Sequence, residues 1–315
     1  MAAGGICLIG NFCIDLILRG VSRLPEWGQE VAGDDHLLVT SGQTTYTAFA
    51  LRALGEPVAV IGCVGEDDWG ERIRRDLNAR GVDTSGLETV PGGQTALTVA
   101  AVRPDGERAF LSDFACLARA DESVLARHWD VVESAGLVGL LGVFSWPGLS
   151  LARTAELFGR ARRAGKTTML DTGWDPEGWQ PPTLAALQGL LAQTSIFMPN
   201  LDEARAVTGA DQPDEAARRL AALGPELVVV KLGRDGSLAR AGGREVRQAA
   251  LPAEVVDTVG AGDVFNAGFL HGSLHGRPLE ACLAAGSAAA ALYISRPRDR
   301  FPAAAQVEAL LAEVS

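Results

Sequence analysis

At 315 residues the chain is long enough to bury a large core, as one α/β domain or as a domain with a small appendage. Hydrophobic residues at 47% and charged residues at 21% are the proportions of an ordinary soluble globular protein. A formal charge of −11 argues against a generic nucleic-acid or anionic-membrane partner, whereas a phosphorylated small ligand held by local amides is compatible with it.

Five cysteines, Cys7, Cys13, Cys63, Cys116 and Cys282, show no paired metal-ligand spacing. Reduced thiols in a cytoplasmic protein are therefore expected. No basic segment precedes an apolar run at the N-terminus, so no signal peptide is expected. The longest apolar stretch, about 135–144, is too short to span a bilayer and reads as a buried strand.

Ile6-Cys7-Leu8-Ile9-Gly10 reads as a buried first strand, and Phe12 to Leu18 continues extended with Asp15 alone among apolar neighbours. An unpaired buried carboxylate is costly, so Asp15 either points to solvent or has a ligand to hold. Strands are expected over 30–40, 94–103 and 107–112, the last two joined by the turn Pro104-Asp105-Gly106. These pieces interrupt an otherwise alternating strand–helix pattern and read as a small β-sheet lid formed by about 12–40 and 93–114. A helix opens at Ser41-Gly42-Gln43 and is stopped by Gly55. A strand over 57–65 follows. Glu66, Asp67 and Asp68 then suit the positive end of a helix running to Arg80, which favours capping over metal binding.

From Ala120 the alternation is regular, with helices at about 121–134, 149–164 and 182–193 and strands at about 136–144, 166–171 and 195–199. Repeated βα units imply a parallel sheet covered on both faces, with ligands at the C-terminal ends of the strands. An apolar strand over 226–232 leads into Gly233-Arg234-Asp235-Gly236, whose spacing alone is only that of a hairpin turn. Two short strands near 237–241 and 244–249 extend the sheet. Long helices are expected over 278–295 and 303–314.

The most informative stretch is Asp257-Thr258-Val259-Gly260-Ala261-Gly262-Asp263-Val264-Phe265-Asn266-Ala267-Gly268. A β-rich run, Glu254-Val255-Val256, leads into a small-residue turn, and an apolar helix starts at about Asp263. Unhindered amides at a helix N-terminus suit a phosphate or a developing anion. A carboxylate repels phosphate, so Asp263 is either a helix cap or a base that takes a proton from an attacking hydroxyl. Gly268, Gly272 and Gly276 recur every four residues and are expected on one closely packed face. His271 and His275 share a spacing that can hold zinc, but no third ligand is evident in the sequence, which favours two surface histidines.

This stretch resembles the C-terminal signature of the ribokinase-like (PfkB-type) carbohydrate kinases, and the resemblance extends over almost the whole chain. It implies a single ribokinase-like domain over 1–315, three α/β/α layers around a mainly parallel sheet, and a small β-sheet lid through which many members dimerise. It further implies ATP and Mg2+ as cofactors, a sugar acceptor, and a homodimer. Asp263 would be the catalytic base, with Gly260, Ala261 and Gly262 in the anion hole. Asn11, Asp15, Gly42, Gln43 and Tyr46 would hold the acceptor. Asn200, Lys231, Gly233, Gly236, Thr258, Gly260, Gly262 and Ser287 would face the nucleotide. Glu203, in Asn200-Leu201-Asp202-Glu203, would order the water shell of magnesium, and Asp257 with the Val259 carbonyl would contribute to a monovalent-cation site, such as one for K+. The chain departs from the pattern at Ser41, where relatives have glycine, and at Tyr46, where they have asparagine. It departs again at Gly173 and Asp175, where asparagine and arginine are common, and at Arg296-Pro297-Arg298-Asp299-Arg300. Tyr46 would either stack on an acceptor ring or be a structural residue. A nucleoside kinase on the same scaffold, or a binder without turnover, are the alternatives.

Overall fold

The structure is a computed structural model and describes residues 4–105, 107–297 and 300–314. Gly106 of the expected lid turn, and Arg298 and Asp299 of the departing segment, lie outside the described residues. The strands are β1 (Gly5–Gly10), β2 (Cys13–Arg19), β3 (Asp35–Ser41), β4 (Val58–Gly65), β5 (Asp83–Val90), β6 (Ala96–Val102), β7 (Arg108–Asp113), β8 (Ala135–Leu141), β9 (Thr167–Asp171), β10 (Ile196–Phe197), β11 (Leu227–Lys231), β12 (Ser237–Ala241) and β13 (Arg244–Gln248).

Nine of them form one sheet in the order β13-β12-β11-β10-β9-β8-β1-β4-β5. All neighbours from β5 to β11 pair in parallel, and β12 and β13 are added antiparallel at one edge. Because successive strand residues face opposite sides, a sheet covered twice needs apolar residues at every position. In β1, Ile6 and Leu8 join one core while Cys7 and Ile9 join the other. The first core contains Phe49, Leu77, Phe269 and Leu283 from the helices Gln43–Ala53, Asp68–Ala79, Ala261–Leu274 and Leu279–Ile294. The second contains Val132, Phe158, Leu187 and Ala216 from the helices Trp129–Ser134, Leu151–Arg163, Pro181–Leu191 and Pro213–Ala221. The result is the expected three-layer α/β/α arrangement. All five cysteines are buried and free.

The remaining strands form a separate sheet in the order β3-β2-β6-β7, within the segments expected for the lid. β2 pairs antiparallel with β3 and parallel with β6. Both sheets meet at the C-terminal end of β1, since Asn11 and Phe12 alone separate β1 from β2.

Several expectations need correction. A strand not expected from the sequence, β5, forms a sheet edge two residues after Gly81; its polar, half-exposed sequence DTSGLETV lacks the apolar run of a buried strand. The strand expected over 30–40 begins only at Asp35. The helix expected over 121–134 is broken at His128 into Ser123–Arg127 and Trp129–Ser134. Glu254-Val255-Val256 is not a strand: both valines are exposed, and the Val256 and Asp257 N–H groups donate to the Ile294 carbonyl at 2.8 and 3.2 Å. The signature helix starts at Ala261 rather than Asp263. Gly268 and Gly272 do face the helix Leu279–Ile294, and a Cβ on Gly268 would lie 2.6 Å from the Ala285 carbonyl oxygen. Gly276 does not share that face; it lies past the helix end in the left-handed region.

Candidate active site

Two helices begin at the junction of the sheets, and both start on a glycine in a conformation that L side chains rarely adopt. Gly42 (φ 109°) precedes Gln43–Ala53, and Gly260 (φ 82°) precedes Ala261–Leu274. The two helices lie side by side and run in the same direction. Tyr46 packs beneath Gly260, whose Cβ would lie 3.1 Å from the ring, and Thr47 Oγ1 donates to the Asp263 carbonyl at 3.4 Å. One helix start therefore sets the position of the other.

Among the described residues, no side chain caps the helix at Gly260. The Ala261 N–H turns back to the Thr258 carbonyl at 3.2 Å, so Ala261 does not offer its amide as expected. The first-turn amides of Gly262 and Asp263 have no intrahelical acceptor, and the helix dipole makes this end attractive to an anion. Asp263 is buried in that same turn.

Beside it lies a buried charge network. Lys231 Nζ, at the end of β11, donates to Asp171 Oδ2, at the end of β9, at 2.5 Å and to Asn266 Oδ1 at 3.3 Å. Asn266 Nδ2 donates to the same Asp171 oxygen at 2.6 Å. A Cβ placed on Gly262 would lie 3.6 Å from Lys231 Nζ, so the ammonium stands over the uncapped turn. Lys231, expected at the edge of a nucleotide loop, is thus bound into the site itself. Burial holds the Asp263 carboxyl well above the usual carboxylate range; Asp171 and Glu203 push it further, and Lys231 opposes them. Glu203 is pushed up to about 7, first by burial and then by Asp171, against Lys231 and the Asn200 amide. Burial alone would lower the pKa of Lys231, but Asp171 and Glu203 outweigh it and the ammonium is held. Three buried carboxylates thus share one ammonium, a donor set short of positive charge and suited to a divalent ion bound with phosphate.

On the acceptor side, Asp15 lies in the middle of β2 and is buried. Ser41 Oγ donates to Asp15 Oδ2 at 2.7 Å, so the serine that departs from the family's glycine orients this carboxylate. Asn11 Oδ1 is buried and has no hydrogen-bond partner among the described residues. It lies 2.5 Å from where a Cβ on Gly142 would be. Gln43 Oε1 lies 2.7 Å from that same point and 2.5 Å from the equivalent point on Gly173. Asn11, Gln43, Gly142 and Gly173 therefore converge on one polar space, and an orphaned buried acceptor there calls for a ligand donor. Trp174 follows at the rim, 57% exposed, with its ring 5.8 Å from Trp179, which in turn packs 5.1 Å from Phe144.

Tyr46 does not join this group. Its ring is buried against Tyr293 and Phe301 at 6.5 and 6.2 Å and under Gly260, so stacking on an acceptor ring does not fit its packing. Asp175 is also structural, accepting the Glu177 and Trp179 N–H groups at 2.9 and 2.7 Å.

Asn200 and Glu203 form a reciprocal capping box on the helix Leu201–Thr208, both carboxylate oxygens accepting from Asn200. Gly233 and Gly236 flank the tight turn between β11 and β12. Thr258 is exposed on the approach to the uncapped turn, and Ser287 is buried on Leu279–Ile294. Asp257 accepts the Val259 N–H at 2.9 Å and faces the Arg19 guanidinium at 3.7 Å, so a cationic side chain already attends the place expected for a monovalent ion. Sequence reasoning gave no role to Asn266, Ser41 or Gly142. Asn266 alone carried a usable signal, standing one helical turn after Asp263.

An uncapped helix N-terminus with a buried carboxylate in its first turn, together with a space lined by polar side chains, is the arrangement of a phosphotransferase acting on an alcohol group. The description of the pfkB family of carbohydrate kinases matches residues 4–305, and the chain belongs to that family. It is 32% identical over 302 residues to fructoselysine 6-kinase of Escherichia coli (strain K12), covering 92% of this chain and 97% of the relative. It is also 32% identical over 309 residues to the ATP-dependent ribose-1-phosphate kinase of Halopiger xanaduensis, covering 96% and 97%. Among solved structures, Arabidopsis thaliana ribokinase complexed with ribose and ATP superposes with a TM-score of 0.84 at 25% identity, covering 98% of this chain and 99% of that one.

Proposed function

We propose that this ATP-dependent carbohydrate kinase transfers the γ-phosphoryl group to a primary hydroxyl of a substituted, polyhydroxylated acceptor other than free ribose. The observation that carries the chemistry is Asp263, a buried carboxylate one residue from amides aimed at an anion. Asp263 takes the hydroxyl proton, the freed oxygen attacks the γ-phosphorus, and the bond to the bridging oxygen of ADP breaks. The amides of Gly262 and Asp263, with Lys231 above them, stabilise the charge that builds on the transferring group. Magnesium, when bound with ATP, neutralises phosphate charge; Glu203, through water, and the neighbouring Asp171 are the residues that would hold it. The turn Gly233–Gly236, Asn200, Thr258 and Ser287 would border the nucleotide.

Asp15 would accept from a pair of acceptor hydroxyls, and Asn11 and Gln43 would complete the grip. Two glycines, Gly142 and Gly173, leave room where a side chain would close the space, and Trp174 offers an apolar face at the rim. A sugar with a substituent fits that space better than a bare pentose. The nucleoside reading rested on Tyr46, which is engaged elsewhere. A panel of free pentoses and hexoses, sugar phosphates, amine-substituted ketoses and nucleosides, read by ADP release, tests the assignment. Ribose or a nucleoside as the preferred acceptor would overturn it.

A dimer would form through the small sheet. Phe110 and Leu111 are 53% and 67% exposed on its edge strand β7, where unpaired backbone groups also await a partner. Phe110→Glu with Leu111→Lys should then convert a dimer to a monomer in light scattering. A cytoplasmic location fits the buried free thiols, and no helix among the described residues is long and apolar enough to cross a membrane.

A further inference from the structure

The two helices that begin at the active site also end together, at a second cluster of side chains. Glu56 lies just beyond the helix Gln43–Ala53, and His271 and His275 stand at the end of Ala261–Leu274. His271 Nδ1 is 2.6 Å and His275 Nδ1 is 3.6 Å from the same oxygen, Glu56 Oε1. One donor atom from each of the three residues lies within 4.8 Å of the others. The third ligand that the sequence did not reveal is therefore present, supplied by a residue more than two hundred positions away. The Glu56 and His271 side chains are buried, whereas that of His275 is 53% exposed and opens the cluster to solvent. Among the described residues, the ion pairs of the Glu56 carboxylate are with these two imidazoles alone. The nearby Arg52 spends its guanidinium on the Glu56 and Arg80 carbonyls.

We propose that Glu56, His271 and His275 form a binding site for a zinc-class divalent ion, with water completing a tetrahedral shell. Two imidazoles and one carboxylate suit zinc, nickel or copper rather than magnesium or calcium. Metal–ligand bonds of about 2.0–2.1 Å space tetrahedral donors roughly 3.3 Å apart, and the two distances to Glu56 Oε1 bracket that spacing. On binding, His271 keeps a neutral ring with its proton on Nε2, and the ion takes the place between Nδ1 and Glu56 Oε1. The hydrogen bond from His275 Nδ1 to the His271 carbonyl, 2.9 Å, is exchanged for a metal bond as the exposed ring turns. His271 is eight residues from Asp263, about 12 Å along the helix, so the ion stands apart from phosphoryl transfer. Its effect is to fasten the far ends of the two helices whose near ends carry the acceptor cradle and the anion site.

The test uses the full chain, stripped with chelator and titrated with Zn2+ alone, without ATP, by calorimetry. One equivalent should bind, raise the melting temperature and, when Co2+ replaces Zn2+, give the visible bands of tetrahedral cobalt. His275→Ala, at a half-exposed position, should fold normally, keep kcat in chelated Mg2+ buffer, and weaken Zn2+ binding by at least about tenfold. Glu56→Gln should weaken it similarly. Absence of saturable Zn2+ binding would overturn the site. Unchanged affinity in His275→Ala would overturn it too, and would place the ion among the active-site carboxylates.

Discussion

Lys231 and Asp171 form a largely buried ion pair, Nζ to Oδ2 at 2.5 Å, that joins the ends of β11 and β9 directly beside the uncapped helix start. Burying such a pair gains little net stability, but removing one partner leaves an uncompensated charge. Its position makes it a regulator of the proton affinity of Asp263. Asp263 must be ionised to accept a proton, so kcat/KM should rise with pH through its raised pKa. Asp171→Asn removes one negative neighbour and frees Lys231 to face Asp263. The acid limb of kcat/KM should therefore move to lower pH, while folding stability drops by up to about 3–5 kcal/mol. A limb that stays put or moves upward would show that Asp171 does not set the base.

Asp263→Asn keeps the shape of the turn but cannot take a proton. Turnover should fall by about a hundredfold or more, with affinity for a non-hydrolysable ATP analogue nearly unchanged. Single-turnover rates and calorimetry measure the two separately. Retention of most of the activity would remove Asp263 from the role of base.

Glu203 provides a test that needs no catalysis. Its pKa is raised in the fold to about 7 from an ordinary value near 4.5, so the ionised form is disfavoured in the ligand-free protein. Its contribution to stability is fully present below the unfolded pKa and is lost as pH rises through about 7. Glu203→Gln retains an oxygen for the Asn200 N–H and carries no charge. The variant should be close to the parent at pH 4 and more stable than it at pH 8.5, by at most on the order of 3 kcal/mol. Denaturant unfolding at the two pH values measures this, and a variant less stable at pH 8.5 would contradict the assigned electrostatics.

Gly268 and Gly276 look alike in sequence and should behave differently. A side chain at Gly268 would meet the Ala285 carbonyl at 2.6 Å and Ala289 Cβ at 2.8 Å, in the contact between two core helices. Gly268→Val should destabilise by about 3 kcal/mol or more. Gly276 has nothing within 4 Å, and asparagine tolerates its left-handed backbone, so Gly276→Asn should cost less than about 1 kcal/mol.

The layered fold was legible because a doubly covered parallel sheet writes itself as unbroken apolar runs, as in Ile6–Gly10 and 226–232. β5 escaped because an edge strand has less to bury, and 254–256 misled because β-propensity there is overridden by hydrogen bonds to Ile294. Within the site, Asp263 and its glycines could be read from one contiguous stretch. The Lys231–Asp171–Asn266 network and the Glu56–His271–His275 cluster could not, because their members lie far apart in sequence and are joined only by sheet order and helix pairing. The choice between the two readings of Tyr46 was beyond the sequence for the same reason: its partners Tyr293 and Phe301 belong to the opposite end of the chain.

The strand that carries Asp15 is held between β3 and β6, with Asp15 opposite Val39 on one side and Thr98 on the other. The second pairing closes a loop of roughly eighty residues, and that loop contains β4, β5 and two core helices. Such a closure is slow until the intervening chain has collapsed into its own place. The small sheet should thus mature after β4 and β5 have packed in refolding. Asp15 should therefore reach its place late, so recovery of turnover in refolding should lag burial of the β1–β4 core.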